Sequence, residues 1–394
     1  MVITEPDNYI ISNIEEEFDF TNIAYDLQEP PIPTITGDFF TPIQILNDKL
    51  KPFKNNLTCF HINACSIPYN YDEIVRLMTE TGVDILGVSE TFICEKTPKI
   101  FYEVPGYKFV HRDRNMKCRG GVGLYIRDGI DFKEIKLCRE LVQPEICFIE
   151  VTLQNMKIAI GVIYKSPLIS YTDYAVLLEI LHPIVTKYDH QIILGDFNID
   201  QLKPDSSACK FFRENVIEPF DFRQMITEPT RITEISATLI DLILVSYPEN
   251  VKTVGVIDIP AISDHCLIFI SYAVKKPKFK AKIIIKRKMD NFDIEQFKND
   301  ISIAPWGNLA VFDDDDLDNK VTVMENIYNE IMDKHCPKIE MRVTHPSASA
   351  WRTEEIKELQ NERDRYYSKY KSMKKIEKKE MKNDQNFKAR TKIK

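Results

Sequence analysis

Leu194-Gly195-Asp196-Phe197-Asn198 follows directly on the apolar run Gln191–Leu194 and is the string with the most chemical content. Side chains along a strand alternate with period two, so Asp196 and Asn198 are expected to share a direction. The carboxylate can take a proton from water, while the neutral carboxamide donates to an oxyanion or holds the attacking water. The same residues could form a plain turn, because Asp and Asn readily cap backbone groups. Ser263-Asp264-His265 precedes the run CLIFISY. Its neighbouring acid and imidazole cannot pair face to face on one strand, so each is expected to have its own task. The imidazole can donate to a phosphate oxygen, and the carboxylate can neighbour a cation. Asp241 lies within the apolar run Thr238–Val245. Burying a carboxylate there is costly unless it is paired, and His265 is its natural partner; a solvent-facing Asp is the alternative. Asn63 ends LTCFHI and Glu90 ends DILGVSE, at the strand ends where α/β sheets commonly place their sites. Glu90, Asp196 and Asp264 together would make a hard-oxygen cluster suited to Mg²⁺. Singly, each could be a surface acid.

Short β-branched and aromatic runs must position these groups. Leu57–Ile62, Val83–Val88, Val122–Ile126, Ile146–Leu153, Lys157–Tyr164, Gln191–Leu194, Thr238–Val245 and Leu267–Tyr272 have strand lengths and turn residues at their borders. Ten of the 12 glycines fall between Gly82 and Gly255, where the chain must reverse often. Helical spacing appears over Tyr71–Thr81, Tyr171–Tyr188 and Ser206–Val216. Helices between some strands and helix-free stretches between others predict a mixed α/β domain over 57–273. QIILG and TLIDLILV are nearly all apolar, which implies burial on both faces, as in two stacked sheets with helices outside.

The 394 residues suggest two or three units, and 44 % apolar with 28 % charged residues excludes wholesale disorder. No apolar run is long enough for a bilayer span, and the N-terminus has no basic-then-apolar leader, so no membrane partner is expected. Nine scattered cysteines without a CxxC pair read as reduced thiols of an intracellular protein. The sequon Asn56-Leu57-Thr58 is then without meaning. The net charge of −8 is unevenly spread. Residues 1–50 hold ten acids against Lys49 alone, and are expected to be a disordered acidic segment. Residues 275–288 hold eight Lys or Arg, a linker or exposed basic strand. A helix with Asp316 at its N-cap spans Leu317 to Ile331, within a connector over 274–345. Residues 346–394 form a basic helical or mobile tail, with 13 bases against five acids from Asn361 onward.

Asn63, Glu90, Tyr164 in GVIYKSP, LGDFN, Thr230 and Asp241 in PTRITEISATLIDLIL, and SDH occur in the order of the endonuclease/exonuclease/phosphatase superfamily. HINACSI, RGGVGLYIRD and PTR…TLIDLIL resemble the endonucleases of non-LTR (LINE, jockey or CR1-like) retrotransposons. Residues 317–371 resemble the connector that precedes the reverse transcriptase there. The resemblance implies a four-layer α/β sandwich, two mixed sheets face to face with helices outside. It implies a nuclear, metal-dependent hydrolase cleaving DNA phosphodiesters with Mg²⁺, or Mn²⁺ in its place, and no small-molecule cofactor. Carried over by residue, Glu90 resembles the metal ligand, Asn63 its positioning neighbour and Asp264 a further metal-side acid. Asp196 resembles the group that activates or orients water, with Asn198 beside it. Tyr164, Thr230 and His265 resemble phosphate contacts, Asp241 the partner of His265, and Arg119 and Arg231 backbone-phosphate contacts. Cys65 departs from the pattern, since many relatives place Arg there.

Acid-rich metal sites must hold a negative substrate through separate basic elements, and 275–288 and the tail offer these. Rival readings keep the fold but change the substrate to a lipid or RNA phosphoester, or leave a silent nucleic-acid-binding fragment. Phe312-Asp313-Asp314-Asp315 superficially fits a polymerase palm string, but the chain runs on through Asp316 into a helix, and an acidic helix start is expected instead.

Overall fold

Twelve strands divide into two six-stranded mixed sheets in the computed structural model, which describes residues 40–391 apart from 115–118, 138–143, 169, 234, 278–281, 291, 312–315 and 344–351. The first sheet holds β1 (Asn56–Asn63), β2 (Ile85–Ser89), β3 (Tyr107–Arg112), β4 (Val122–Arg127), β13 (Val251–Ile257) and β14 (Leu267–Lys275). Their order is β13-β14-β1-β2-β4-β3, with only β1 and β2 parallel. The second holds β5 (Phe132–Glu134), β6 (Glu145–Leu153), β7 (Met156–Tyr164), β8 (His190–Asp196), β9 (Arg223–Gln224) and β12 (Asp241–Val245), in the order β5-β6-β7-β8-β12-β9 with β7 and β8 parallel. Short strands β10 (Arg231–Ile232) and β11 (Ala237–Thr238) form a ribbon, and β15 (Lys282–Arg287) pairs with β16 (Lys338–Val343).

Alternation sorts the side chains into layers. Leu57, Cys59 and Ile85 face the second sheet and join its core, whereas Phe60, Ile62, Leu86 and Val88 face outward. Helices α1 (Pro42–Leu50) and α2 (Ile67–Thr81) cover that outer face through Ile43, Leu46, Ile74, Leu77 and Met78. On the far side α3 (Val176–Lys187) and α4 (Ser207–Phe212) cover the second sheet with Leu177, Ile180, Leu181 and Phe212. The result is the expected four-layer α/β sandwich.

Three helices lie C-terminal to the sheets: α5 (Ile294–Ile303), α6 (Leu317–His335) and α7 (Glu354–Thr391). Asp316 occupies the N-cap of α6, the position read from the sequence, although its side chain makes no capping bond to the helix. The 312–315 string lies outside the described residues, as do residues 1–39 of the acidic segment. Residues Pro42–Leu50, expected to be disordered with them, instead form α1, because Thr41 and Gln44 make a reciprocal capping box and Ile43 and Leu46 are buried. Within the tail Glu354–Thr391 is helical, and side chains tie it to the sandwich: Arg363 binds Glu73, Asp364 binds the buried Arg76 of α2 at 2.8 Å, and Tyr367 binds Asp258 at 3.1 Å. The described cysteines form no disulfide with one another, while Cys118 and Cys138 lie outside the described residues. Among the described residues no helix is long and apolar enough to cross a membrane.

Candidate active site

The inner faces of the two sheets meet at one end in a row of polar residues. Register places Glu145, Tyr164, Asp196 and Asp241 side by side across β6, β7, β8 and β12. All four share the parity of Val162 and Leu194, which face Gly87 of the opposite sheet. From that sheet Asn63 and Ser89, paired between β1 and β2, continue the inward series begun by Leu57 and Cys59. Apolar strands thus end together in a buried polar patch, because each sequence switches to polar residues at the same level.

Asn63 ties the two sheets. Its Nδ2 donates to Glu90 Oε1 at 3.0 Å and to Asp196 Oδ2 at 2.9 Å, and its Oδ1 accepts from the Cys65 amide. Tyr164 donates to Glu90 Oε1 at 2.9 Å. Glu90 holds φ = +52°, a left-handed conformation that side chains other than Gly, Asn and Asp seldom adopt. Such strain persists where surrounding contacts over-determine it. Those contacts come from the glycine turn: Thr91 and Phe92 donate their amides to the Gly121 and Gly120 carbonyls. Gly121, at φ = +89°, has no room for a Cβ beside the Thr91 hydroxyl. Glu145 in turn accepts from the Gly121 amide and from Arg114, both at 2.6 Å. Arg119 starts this turn and is exposed.

Opposite lies the acid–imidazole pair. His265 Nδ1 is 2.9 Å from Asp241 Oδ2, and both residues are buried. Burial pulls the imidazole down, but the Asp241 carboxylate lifts it to about 9, so it is charged at neutral pH. Asp196 is pushed up to about 7 by burial first and by Asp241 second, against the Asn63 hydrogen bond. Among the described residues Asp196, Asp241 and His265 bring ligand-type atoms within 4.8 Å of one another. With Nδ1 engaged by Asp241, His265 fits a hydrogen-bonding role better than direct ligation. The two buried acids beside one imidazole, with Glu90 adjoining through Asn63, form an acid-rich set of hard oxygens. Such a set fits a hard divalent cation that keeps its waters.

Several sequence-derived assignments come out differently. Asn198 does not share the direction of Asp196. Its φ is +49°, it lies beyond β8, and its carboxamide donates to the Lys165 carbonyl at 2.8 Å. Thr230 is fully buried, and its hydroxyl oxygen accepts from the Ile240 and Asp241 amides, so it fixes the start of β12 instead of facing a phosphate. Asp264 and Arg231 bind one another at 2.8 Å near the surface, outside the buried acidic group expected for Asp264. Burial works against the Asp264 charge, yet the guanidinium holds its carboxyl below the usual range. Cys65 Sγ lies 3.5 Å from both Asn63 Oδ1 and Ser263 Oγ, and burial pushes the thiol up to about 11. Glu145 and His61 escaped sequence reading. Each is a polar residue in a mostly apolar strand, at the same inward parity as its assigned neighbours, and that parity was the available signal.

An α/β sandwich with carboxylates and an imidazole gathered at the mouth between its sheets defines a class of phosphoester hydrolases. Residues 60–265 match the Endonuclease/Exonuclease/phosphatase family, and the chain belongs to it. No curated protein matches the sequence. Among solved structures, the chain is similar to the endonuclease domain of TRAS1, a telomere-specific non-LTR retrotransposon, at 12 % identity and TM-score 0.47, over 56 % of this chain and 100 % of that one. It is likewise similar to the AP endonuclease LMAP from Leishmania major, at 15 % identity and TM-score 0.47, over 57 % and 89 %. The human nocturnin catalytic domain is similar at 15 % identity and TM-score 0.41, over 56 % and 95 %.

Proposed function

We propose that the chain is a divalent-metal-dependent DNA endonuclease of the retrotransposon type, nicking one strand of its target. One observation carries the hydrolase reading: Asn63 hydrogen-bonds Glu90 and Asp196 on one side of the mouth while Asp241 orients His265 on the other. Glu90 would hold Mg²⁺, with Asn63 fixing the carboxylate and Tyr164 donating to it. When bound, such a cation polarises a phosphoryl oxygen and lowers the pKa of water.

The chain's own groups do the rest. Asp196, buried at the mouth and held by the Asn63 amide, is placed to accept a proton from the attacking water. His265 is a charged donor whose second ring nitrogen is available to a non-bridging phosphate oxygen, where charge builds at attack. Asn198 braces the loop at Lys165 beside Asp196. DNA is favoured as substrate by the RGGVG and PTR…TLIDLIL motifs and by separate basic elements: exposed Arg119, exposed Lys286 of β15, and the basic tail. A chromosomal target places the protein in the nucleus.

Nicking of supercoiled plasmid, measured beside phosphate release from phosphoinositide vesicles and degradation of polyadenylated RNA, tests the reading. Plasmid relaxation without the other two activities is expected; release from lipid or RNA alone would transfer the same chemistry to a different substrate.

A further inference from the structure

His61 lies on the inner face of β1, one inward position below Asn63, with no exposed surface. Its Nε2 is 3.2 Å from the Ser89 hydroxyl, and its Nδ1 faces Asp241 Oδ1 across 3.8 Å. Both of those facing atoms are buried without a hydrogen-bond partner. Buried polar atoms are satisfied in nearly all native proteins, so each such exception calls for a reason. Here a closure of about 1 Å would satisfy the two together.

Packing alone does not account for an imidazole here. The preceding inward residues of β1, Leu57 and Cys59, are apolar, and a leucine would fill a similar volume without burying two ring nitrogens. The partners also determine where the proton sits. An ionised carboxylate can only accept, so Nδ1 must carry the hydrogen that faces Asp241. Nε2 is then the acceptor, and the Ser89 hydroxyl the donor. Asp241 is already held at its amide by the Thr230 oxygen and at Oδ2 by His265. Only Oδ1 is left to be fixed, and His61 is what faces it.

We propose that His61 is a positioning residue for the Asp241–His265 pair, its neutral ring set by Ser89 and its Nδ1–H directed at Asp241 Oδ1. Asp241 is thereby gripped between two imidazoles, one at the mouth and one beneath it. Without His61 the carboxylate can rotate, and the aim of His265 is lost. The inference rests on the nuclease reading for its consequence in catalysis, but not for its geometry.

Single-turnover plasmid nicking with Mg²⁺ by the full chain gives the first test. His61→Leu should lower the maximal rate by about 10–100-fold, the range for a lost hydrogen bond to a charged group, with the DNA concentration for half-maximal rate unchanged. His61→Asn, which returns an N–H near the Nδ1 position, should recover most of that loss. In an Asp241→Asn background His61→Leu should cost nothing further. An unchanged maximal rate, an Asn variant as poor as the Leu variant, or losses that multiply in the Asp241→Asn background would each overturn the proposal. The second test needs no activity: ring-nitrogen NMR of the ¹⁵N-histidine-labelled protein, assigned against His61→Asn. A proton on Nδ1 of His61 is expected, and a proton on Nε2 overturns the proposal. A wild-type chain that leaves DNA intact would end the nuclease reading, while the ring-nitrogen spectrum would still decide this one.

Discussion

Asp196 and Asp241 stand directly opposite one another in the antiparallel β8–β12 pair, both turned toward the facing sheet. Like charges opposite each other on a sheet repel, and burial strengthens the repulsion. The fold answers with an unlike partner for each: the Asn63 amide for Asp196 and the His265 imidazole for Asp241. It does so incompletely: burial first, and the Asp241 charge second, still push the Asp196 carboxyl up to about 7.

The raised carboxyl has a pH signature. A carboxyl raised in the folded state binds its proton more tightly there than in the unfolded chain. Its contribution to stability is full below the unfolded value, near pH 4, and is lost as pH rises through about 7. His265, raised to about 9, acts in the same direction: its contribution is full below about pH 6.5 and lost as pH rises through about 9. His61, lowered to about 4 by burial, acts the other way, its contribution being lost as pH falls from about 6.5 toward 4. The metal-free protein should therefore melt at progressively lower temperature chiefly from pH 6.5 to pH 8, and Asp196→Asn should flatten the lower part of that slope. Thermal melts of both proteins in EDTA across this range check it; a wild-type melting point that rises with pH contradicts it.

Asp241 and His265 should behave as one unit in catalysis. Each single alanine variant is expected to lose about 10²–10⁴-fold in cleavage, the usual range for acid–base and donor groups. The double variant should be little worse than the poorer single, because groups that work through each other are non-additive. Single-turnover rates for the three variants decide this, and losses that multiply show two independent roles.

Gly195 should tolerate no side chain. A Cβ there would overlap the Ile163 carbonyl oxygen, a backbone atom of the parallel neighbour β7 that cannot swing aside. Gly195→Ala should destabilise the sandwich by more than about 4 kcal/mol, placing it among the severe overpacking substitutions. Soluble yield and denaturant melts measure this, and a variant of wild-type stability would show that the two strands can separate locally.

The docked start of α7 should contribute to stability. Arg76 is buried against Asp364, with Glu73 and Glu80 also in reach. Removing one partner of a buried pair costs about 3–5 kcal/mol when nothing replaces it. With two acids remaining, Asp364→Ala should cost about 1–3 kcal/mol, and removal of α7 should cost at least as much. Calorimetry tests both, and unchanged melting would mean that the helix is not docked in solution.

The sandwich was legible because eight apolar runs of strand length lie between turn residues, and their double-sided apolarity requires two buried faces. The Asp241–His265 pair was legible because a carboxylate in TLIDLIL needs a partner. β3 and β13 were not, because their half-exposed edge positions dilute the pattern. α1 was hidden in an acidic stretch whose charge spoke louder than its capping box. Asn198 went astray because period-two alternation holds only inside a strand, and it lies past the end of β8 in a left-handed turn. Thr230, expected at a phosphate only through the family resemblance, lies in the loop before β10 with its hydroxyl oxygen accepting backbone amides. Docking of α7 depends on Glu73 and Arg76 some 290 positions away, a pairing no local pattern encodes.

In the proposed function Glu90 and Asp196, joined by Asn63, form a metal-dependent phosphodiester-cleaving centre. Relaxation of supercoiled plasmid by the full chain, with Mg²⁺ or with EDTA, for wild type, Glu90→Gln and Asp196→Asn, tests it most directly. The wild type should nick only with Mg²⁺, and both folded variants should fall by about 10²-fold or more. Equal nicking in EDTA, or near wild-type cleavage by either folded variant, would contradict the account.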